Sequence, residues 1–309
     1  MKVMIKIFRN EKGKTMHDEF SLDVLKGMTV MDCIKEIRKH CDGSVAHREG
    51  CRNGICGICA MNVNGKPMLA CKAQAVDAVN DCGEIVLEPL ARMPVIKDLV
   101  VDMKGFLEEH RKVGPWIEEK GNAPDKENII TPEQMKKIGK TSDCILCGAC
   151  YATCLSLDAE KMFVGPSAIV MAKRYLDDPR DDKHNSRLKM YNGTHFAWDC
   201  THCMYCDEVC PVGIKPLSCI KDVRREIIFK DYGSRGVTHH KAFVDSIQSS
   251  GILDEAKYPI FAIGMNPFRL HEIIPVGLRM MKSRKMPDLI HKSADKLAEI
   301  KKLFREVKE

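Results

Sequence analysis

The chain has 309 residues, 44% of them hydrophobic and 30% charged, with 16 cysteines and a formal net charge of +6. This length suits two or three small domains with ordinary cores. No apolar run approaches the roughly eighteen residues a membrane span needs, and no Lys/Arg stripe interleaved with aromatics marks a nucleic-acid surface.

Residues 2–9 alternate charged and apolar side chains and predict a strand, with 16–24 as its hairpin partner. This N-terminus has no apolar signal core and no twin-arginine pair, so the cytoplasm is expected unless a signal-bearing partner carries the folded chain out. Thr29 is the expected N-cap of an amphipathic helix over 29–40, with Met31, Ile34 and Ile37 on its apolar face. Cys51, Cys56 and Cys59, completed by Cys71, have the C-x4-C-x2-C…C spacing of plant-type [2Fe–2S] ferredoxins. Gly50, Gly54 and Gly57 let that loop bend close to a cluster and turn N–H groups toward its sulfurs. Residues 60–63 and 67–70 flank Asn64-Gly65, a strong hairpin signal, and Glu84–Glu88 is a last strand. A small mixed sheet with one crossing helix is the β-grasp arrangement. Pro89 and Pro94 punctuate its end. Residues 95–109 are expected to begin a helical region, and 115–140, with Pro115, Pro124 and Pro132, read as a connecting segment.

Two runs then repeat one pattern. Cys144, Cys147, Cys150 and Cys154, and again Cys200, Cys203, Cys206 and Cys210 before Pro211, follow C-x2-C-x2-C-x3-C. That is the two-cluster bacterial ferredoxin spacing, in which the last cysteine of each run ligates the other cluster. The expected sets are Cys144, Cys147, Cys150 and Cys210 for one [4Fe–4S] cluster, and Cys154, Cys200, Cys203 and Cys206 for a second. Three sets of four use twelve of the 16 cysteines. Disulfides suit short secreted chains, and zinc would not explain two different ferredoxin spacings. Twelve thiolates around three cores of about +2 would remove roughly six charges and bring the holoprotein near neutrality. Of the other cysteines, Cys33 and Cys41 are expected to be small buried hydrophobes rather than a redox pair, while Cys82 and Cys219 carry no assignment. His47, Arg48 and Arg52 lie near the first set, with solvated surface the simpler account for at least two of them.

Helical stripes cover 167–176 and 215–229, and a tail follows residue 230. In it, 239–249 is an amphipathic helix stopped by Gly251, 258–278 is apolar with Pro259, Pro267 and Pro275, and 288–309 is a charged helix. His239 and His240 point to different helix faces, which disfavours a shared metal. The basic run 279–285 suits an anionic lipid surface or a protein interface equally. No catalytic base, nucleophile or nucleotide loop is present in the pattern.

Taken together, the cluster order and the segments around Cys51–Cys59, Leu69-Ala70-Cys71, Glu88-Pro89-Leu90, residues 95–102 and 164–168 resemble the iron–sulfur subunit of succinate dehydrogenase/fumarate reductase over about residues 1–230. The resemblance implies an α+β chain. Residues 1–103 form a β-grasp [2Fe–2S] domain, 104–230 an all-α two-cluster domain, and 231–309 a helical extension for partner docking. It also implies an FAD flavoprotein partner that handles succinate or fumarate, and a membrane association that is only peripheral, through partners. Two departures stand out. Most members lack a cysteine at the Cys203 position and hold [3Fe–4S] on the equivalents of Cys154, Cys200 and Cys206. Here a second [4Fe–4S] is expected, at a lower potential. The residues that help to build a quinone pocket are replaced by Leu155, Ser156 and Thr201, with no tryptophan nearby. Both departures resemble the E-type enzymes, whose partner is a CCG-domain subunit related to heterodisulfide reductase. The 239–255 pattern is similar to the tail of the small heterodisulfide reductase subunit. A thiol:fumarate reductase and a free ferredoxin-like carrier are the rival readings.

Overall fold

The computed structural model describes residues 1–11, 13–119, 126–263, 267–288 and 292–306; Pro124 lies outside them. Strand β1 (Lys2–Glu11) buries Val3, Ile5 and Ile7 on one face, as period-two alternation requires. It pairs antiparallel with β2 (Lys14–Asp23) through a hairpin. The chain then enters α1 (Val30–His40), whose N-cap is Thr29. The Thr29 hydroxyl accepts from Asp32 N–H and the Asp32 carboxylate accepts from Thr29 N–H, a complete capping box. Met31, Cys33, Ile34 and Ile37 of α1 share one core with β1.

Strands β3 (Ala60–Val63) and β4 (Lys66–Leu69) form the Asn64-Gly65 hairpin, with φ of 50° and 76° at the turn residues as a type I′ turn demands. Strand β5 (Glu84–Glu88) returns parallel to β1, so that Ile5 faces Ile85 and Ile7 faces Leu87. A parallel pair cannot be closed by a tight turn; here the excursion through α1 and the β3–β4 hairpin makes the crossover. The sheet order is β2-β1-β5-β3-β4.

The expected helical start over 95–109 is corrected. Residues Val95–Lys97 (β6) and Val100–Val101 (β7) form a second small hairpin, and the helix α2 spans only Lys104–Lys112. The reason is tertiary. Asp98, fully buried at the turn, accepts from Asn10 N–H and Ala46 N–H and stands 3.5 Å from the Arg9 guanidinium, itself 3% exposed. The connecting segment 115–140 also ends early, because α3 (Pro132–Ser142) begins inside it with a Thr131/Gln134 capping box and proline at the first turn.

Short helices then frame the cysteine runs: α4 (Ala149–Ala152), α5 (Ser156–Ala159), α6 (Pro166–Leu176), α7 (His184–Tyr191), α8 (Tyr205–Glu208) and α9 (Pro216–Lys230). Arg187 of α7 is clamped by buried Asp181 and donates to the Gly114 and Trp116 carbonyls at 2.6 Å each. This fastens the segment after α2 to the cysteine-bearing half.

The backbone divides into two compact units, Met1–Arg225 and Glu226–Glu309. In the second, α10 (Arg235–Ser250) is capped by Ser234 and ends at Gly251 with φ 79°, as the glycine predicts. It packs against α11 (Tyr258–Ala262) and α13 (Leu297–Glu306). His239 contacts the Tyr258 hydroxyl at 2.8 Å, so it has a partner inside this unit. Helix α12 (Leu270–Lys282) leaves Ile274, Leu278 and Met281 exposed. The final helix covers 297–306 rather than 288–309, of which 289–291 and 307–309 lie outside the described residues. Among the described residues no helix is long and apolar enough to cross a membrane.

Candidate metal centres

The loop between α1 and β3 carries the first three cysteines. Its backbone turns inward on their sulfurs: Ile55 N–H and Cys56 N–H both point at Cys51 Sγ from 3.3 Å, and Cys51 N–H at Cys56 Sγ from 3.4 Å. Donors from Asn53, then Cys56 and Ile55, hold the Cys51 thiol down at about 6, a site made for a thiolate. Cys59 is the opposite case. Burial pushes its thiol up to about 11, and its Sγ lies 3.4 Å from that of Cys71, which β4 delivers. Cys51 and Cys56 are exposed while Cys59 and Cys71 are buried, so the set spans the protein surface. Gly50 has the room the sequence demands of it, since a Cβ there would stand 3.0 Å from Cys56 Sγ.

Gly57 makes the connection to the next set. It adopts φ 72°, and a Cβ would stand 2.7 Å from the Ile145 carbonyl oxygen and 2.9 Å from Cys147 Cβ. The first cysteine loop therefore rests directly on the second.

Cys144, Cys147, Cys150 and Cys210 line one small pocket of about 20 Å³. Burial raises the thiols of Cys144, Cys147 and Cys150: Cys147 reaches about 11 and Cys150 goes well above its ordinary value, with neighbouring thiols of the same set adding to the rise. Ile214 N–H points at Cys210 Sγ from 3.4 Å. A single tetrahedral ion would draw its ligands to a point, with Zn–S near 2.3 Å. Among the described residues no three His, Cys, Asp or Glu groups come together as a single-ion site would require. Buried thiols without a cation stay protonated, and a positively charged iron–sulfur core supplies what they lack. The residues fit the group.

The remaining set also converges. Burial is the main cause that lifts the Cys206 thiol to about 12, followed by Asp207 and then by Cys200, Cys154 and Cys203. Cys154 is raised by burial and, in addition, by Cys200 and Cys203. His202 N–H points at Cys200 Sγ from 3.4 Å. Cys150 of the middle set and Cys206 of this one share one buried cluster with Leu217. The three sets thus stand in a row.

Sequence reasoning missed Arg224 of α9, because its targets are far away in the chain. Its guanidinium donates to the carbonyls of Ala197 (2.8 Å), Trp198 (3.0 Å) and Cys200 (2.8 Å), contacts His202 Nε2 at 2.6 Å and lies over the Trp198 ring. One side chain braces the loop that presents Cys200. Trp198 qualifies the expectation that no tryptophan is nearby: one stands two residues before Cys200, held by Arg224 and by Asn192. Ser156 and Thr201 are joined, Thr201 N–H donating to Ser156 Oγ at 3.0 Å. Of the spare cysteines, Cys33 and Cys219 are buried and Cys41 and Cys82 exposed, so the buried-hydrophobe reading holds for Cys33 and fails for Cys41. Near the first set the His47 side chain is 2% exposed whereas that of Arg52 is 55% exposed and paired with Glu49.

Residues 3–108 match the family described as a 2Fe-2S iron-sulfur cluster binding domain, and 140–214 that described as a 4Fe-4S dicluster domain. The fumarate reductase iron-sulfur subunit of Haemophilus influenzae is 38% identical over 218 residues, which cover 66% of this chain and 83% of that protein. The succinate dehydrogenase iron-sulfur subunit of Coxiella burnetii is 34% identical over 220 residues, 70% of this chain and 91% of that one. The chain belongs to the succinate dehydrogenase/fumarate reductase iron–sulfur subunit family. Its α+β organisation, a 2Fe–2S ferredoxin domain followed by a 4Fe–4S dicluster domain, is the family's, and the twelve cysteines of the three sets all fall inside the two matched regions. A chain of the Mycobacterium smegmatis Sdh1 complex in the apo form shares the fold, with a TM-score of 0.63 at 22% identity over 75% of this chain and 97% of that one.

Proposed function

We propose that this subunit is the electron relay of an E-type succinate dehydrogenase or fumarate reductase. Cys51, Cys56, Cys59 and Cys71 would hold a [2Fe–2S] cluster, and Cys144, Cys147, Cys150 and Cys210 a [4Fe–4S] cluster. Cys154, Cys200, Cys203 and Cys206 would hold a second [4Fe–4S]. Such clusters accept and release one electron at a time, dividing the pair that a flavin exchanges with succinate or fumarate. The observation that carries this reading is the row of contacts, Gly57 on Cys147 and then Cys150 beside Cys206, which leaves no gap between sets.

The rest of the chain supports that role. The first set opens on a surface with exposed Ile55 and Ile58, suited to an FAD flavoprotein. Leu155, Met204 and Tyr205 are exposed beside the third set, suited to the next carrier. A fourth thiol at Cys203 and the tail 231–309 favour a CCG-domain, heterodisulfide-reductase-like subunit as that carrier. Residues 1–103 and 104–230 would then be the two cluster-bearing regions, and the membrane would be met peripherally, through partners.

The test is to isolate the native complex without air and follow cluster absorbance on adding succinate and then fumarate. Bleaching by succinate with recovery on fumarate is expected. Clusters that respond to dithionite and to neither substrate would assign the relay to another flavoprotein, and bleaching by thiols would favour the thiol-linked enzyme.

A further inference from the structure

Ser167 is the second residue of α6 and is 2% exposed. Its Oγ is buried with no nitrogen or oxygen partner in the protein, it lines the pocket formed by Cys144, Cys147, Cys150 and Cys210, and it lies within reach of the Cys150 sulfur. A buried hydroxyl is rarely left without an acceptor, and this one faces sulfur. The preceding residue, Pro166, has no N–H to offer at the helix start, so the hydroxyl adds a donor to the N–H groups of Ser167 and Ala168 in that first turn. The matching place in α9 is different: Pro216 is followed by Leu217, whose apolar side chain shares a buried cluster with Cys150 and Cys206 and whose backbone N–H donates to Asp207 Oδ1 at 2.7 Å rather than to sulfur.

We propose that the Ser167 hydroxyl donates a hydrogen bond to the sulfur of Cys150 when the middle tetrad holds its cluster, and so raises that centre's reduction potential above what its burial alone would set. The inference rests on reading this tetrad as a [4Fe–4S] site. A donor to a ligand sulfur stabilises the more negative, reduced state. Helix position two tolerates alanine without distortion, so Ser167→Ala removes the donor and keeps the fold.

The experiment is an anaerobic redox titration of the holoprotein and of Ser167→Ala and Ser167→Thr, followed by low-temperature EPR with all three centres read in each sample. In Ser167→Ala the reduced-to-oxidised ratio of the middle centre at fixed poise should fall about tenfold, which is about 59 mV for a one-electron couple. The other two centres should stay unmoved, and Ser167→Thr should match the unmodified protein. An unshifted middle centre in Ser167→Ala, or an equal shift of all three, would overturn the proposal. Loss of the centre from the alanine variant alone would make the hydroxyl an assembly determinant and overturn the tuning role. Iron and sulfide analysis that finds no cluster on this tetrad in the unmodified protein would instead overturn the cluster reading itself.

Discussion

Replacing Cys203 by serine removes one thiol from a set of four and leaves Cys154, Cys200 and Cys206 in place. On the proposed assignment the oxidised, air-free Cys203→Ser subunit should gain a [3Fe–4S] EPR signal absent from the unmodified protein, and an unchanged spectrum would remove Cys203 from the ligand set. Arg224 acts by holding rather than by ligating. Arg224→Ala would leave the carbonyls of Ala197, Trp198 and Cys200 without their donor, each at a cost of about 1–3 kcal/mol where burial persists. Iron should then leave the third centre roughly tenfold faster under chelator, with the first two centres releasing theirs at the ordinary rate. Equal release from all three would reduce Arg224 to general packing.

At the scale of elements, the β6–β7 hairpin depends on one buried carboxylate, that of Asp98. Asp98→Ala leaves the Asn10 and Ala46 N–H groups without their acceptor, at about 1–3 kcal/mol each where they stay buried, while Arg9 keeps Asp42 and Ser44. Thr29→Ala removes only a cap, at about 1 kcal/mol. Thermal melts should therefore rank Asp98→Ala well below Thr29→Ala, and equal melting temperatures would contradict the hairpin's role. These two residues also mark what a sequence discloses. Thr29 and Asp32 sit three apart before an apolar stripe, and Asn64-Gly65 names its own turn, so α1 and the β3–β4 hairpin were legible locally. The β6–β7 hairpin was not, because Asp98 is held by Asn10 and Ala46, partners 88 and 52 residues away. The same distance hid Arg224 and Ser167. The cysteine sets were legible because ligand spacing is a local constraint, whereas the contact between Gly57 and Cys147 is not. The start of α3 could have been read: Thr131-Pro132-Glu133-Gln134 is a capping box with proline at the first turn.

For the molecule as a whole, acid should act in two stages, both set by groups held below their ordinary values. His47 and His110 are held below the usual histidine range by burial. The unfolded chain therefore takes up their protons first, and stability begins to fall as pH drops below about 6.5. Asp178 is held below the carboxylate range by hydrogen bonds from Arg180 and then Arg174, against an opposing effect of burial. Its contribution is complete above about pH 4 and is lost below it. Melting temperature against pH should show a shallow decline under pH 6.5 and a steeper one under pH 4; a profile flat down to pH 4 would contradict the histidine assignment.

The central claim is that three separate clusters sit in a row on twelve cysteines. Iron and sulfide analysis of the anaerobically purified subunit, joined to Mössbauer and EPR spectra of its oxidised and reduced forms, tests it most directly. The account predicts about ten irons per chain, distributed as one [2Fe–2S] and two [4Fe–4S] centres. An intense [3Fe–4S] signal in undamaged protein would contradict the third assignment, and zinc in place of iron would contradict the relay.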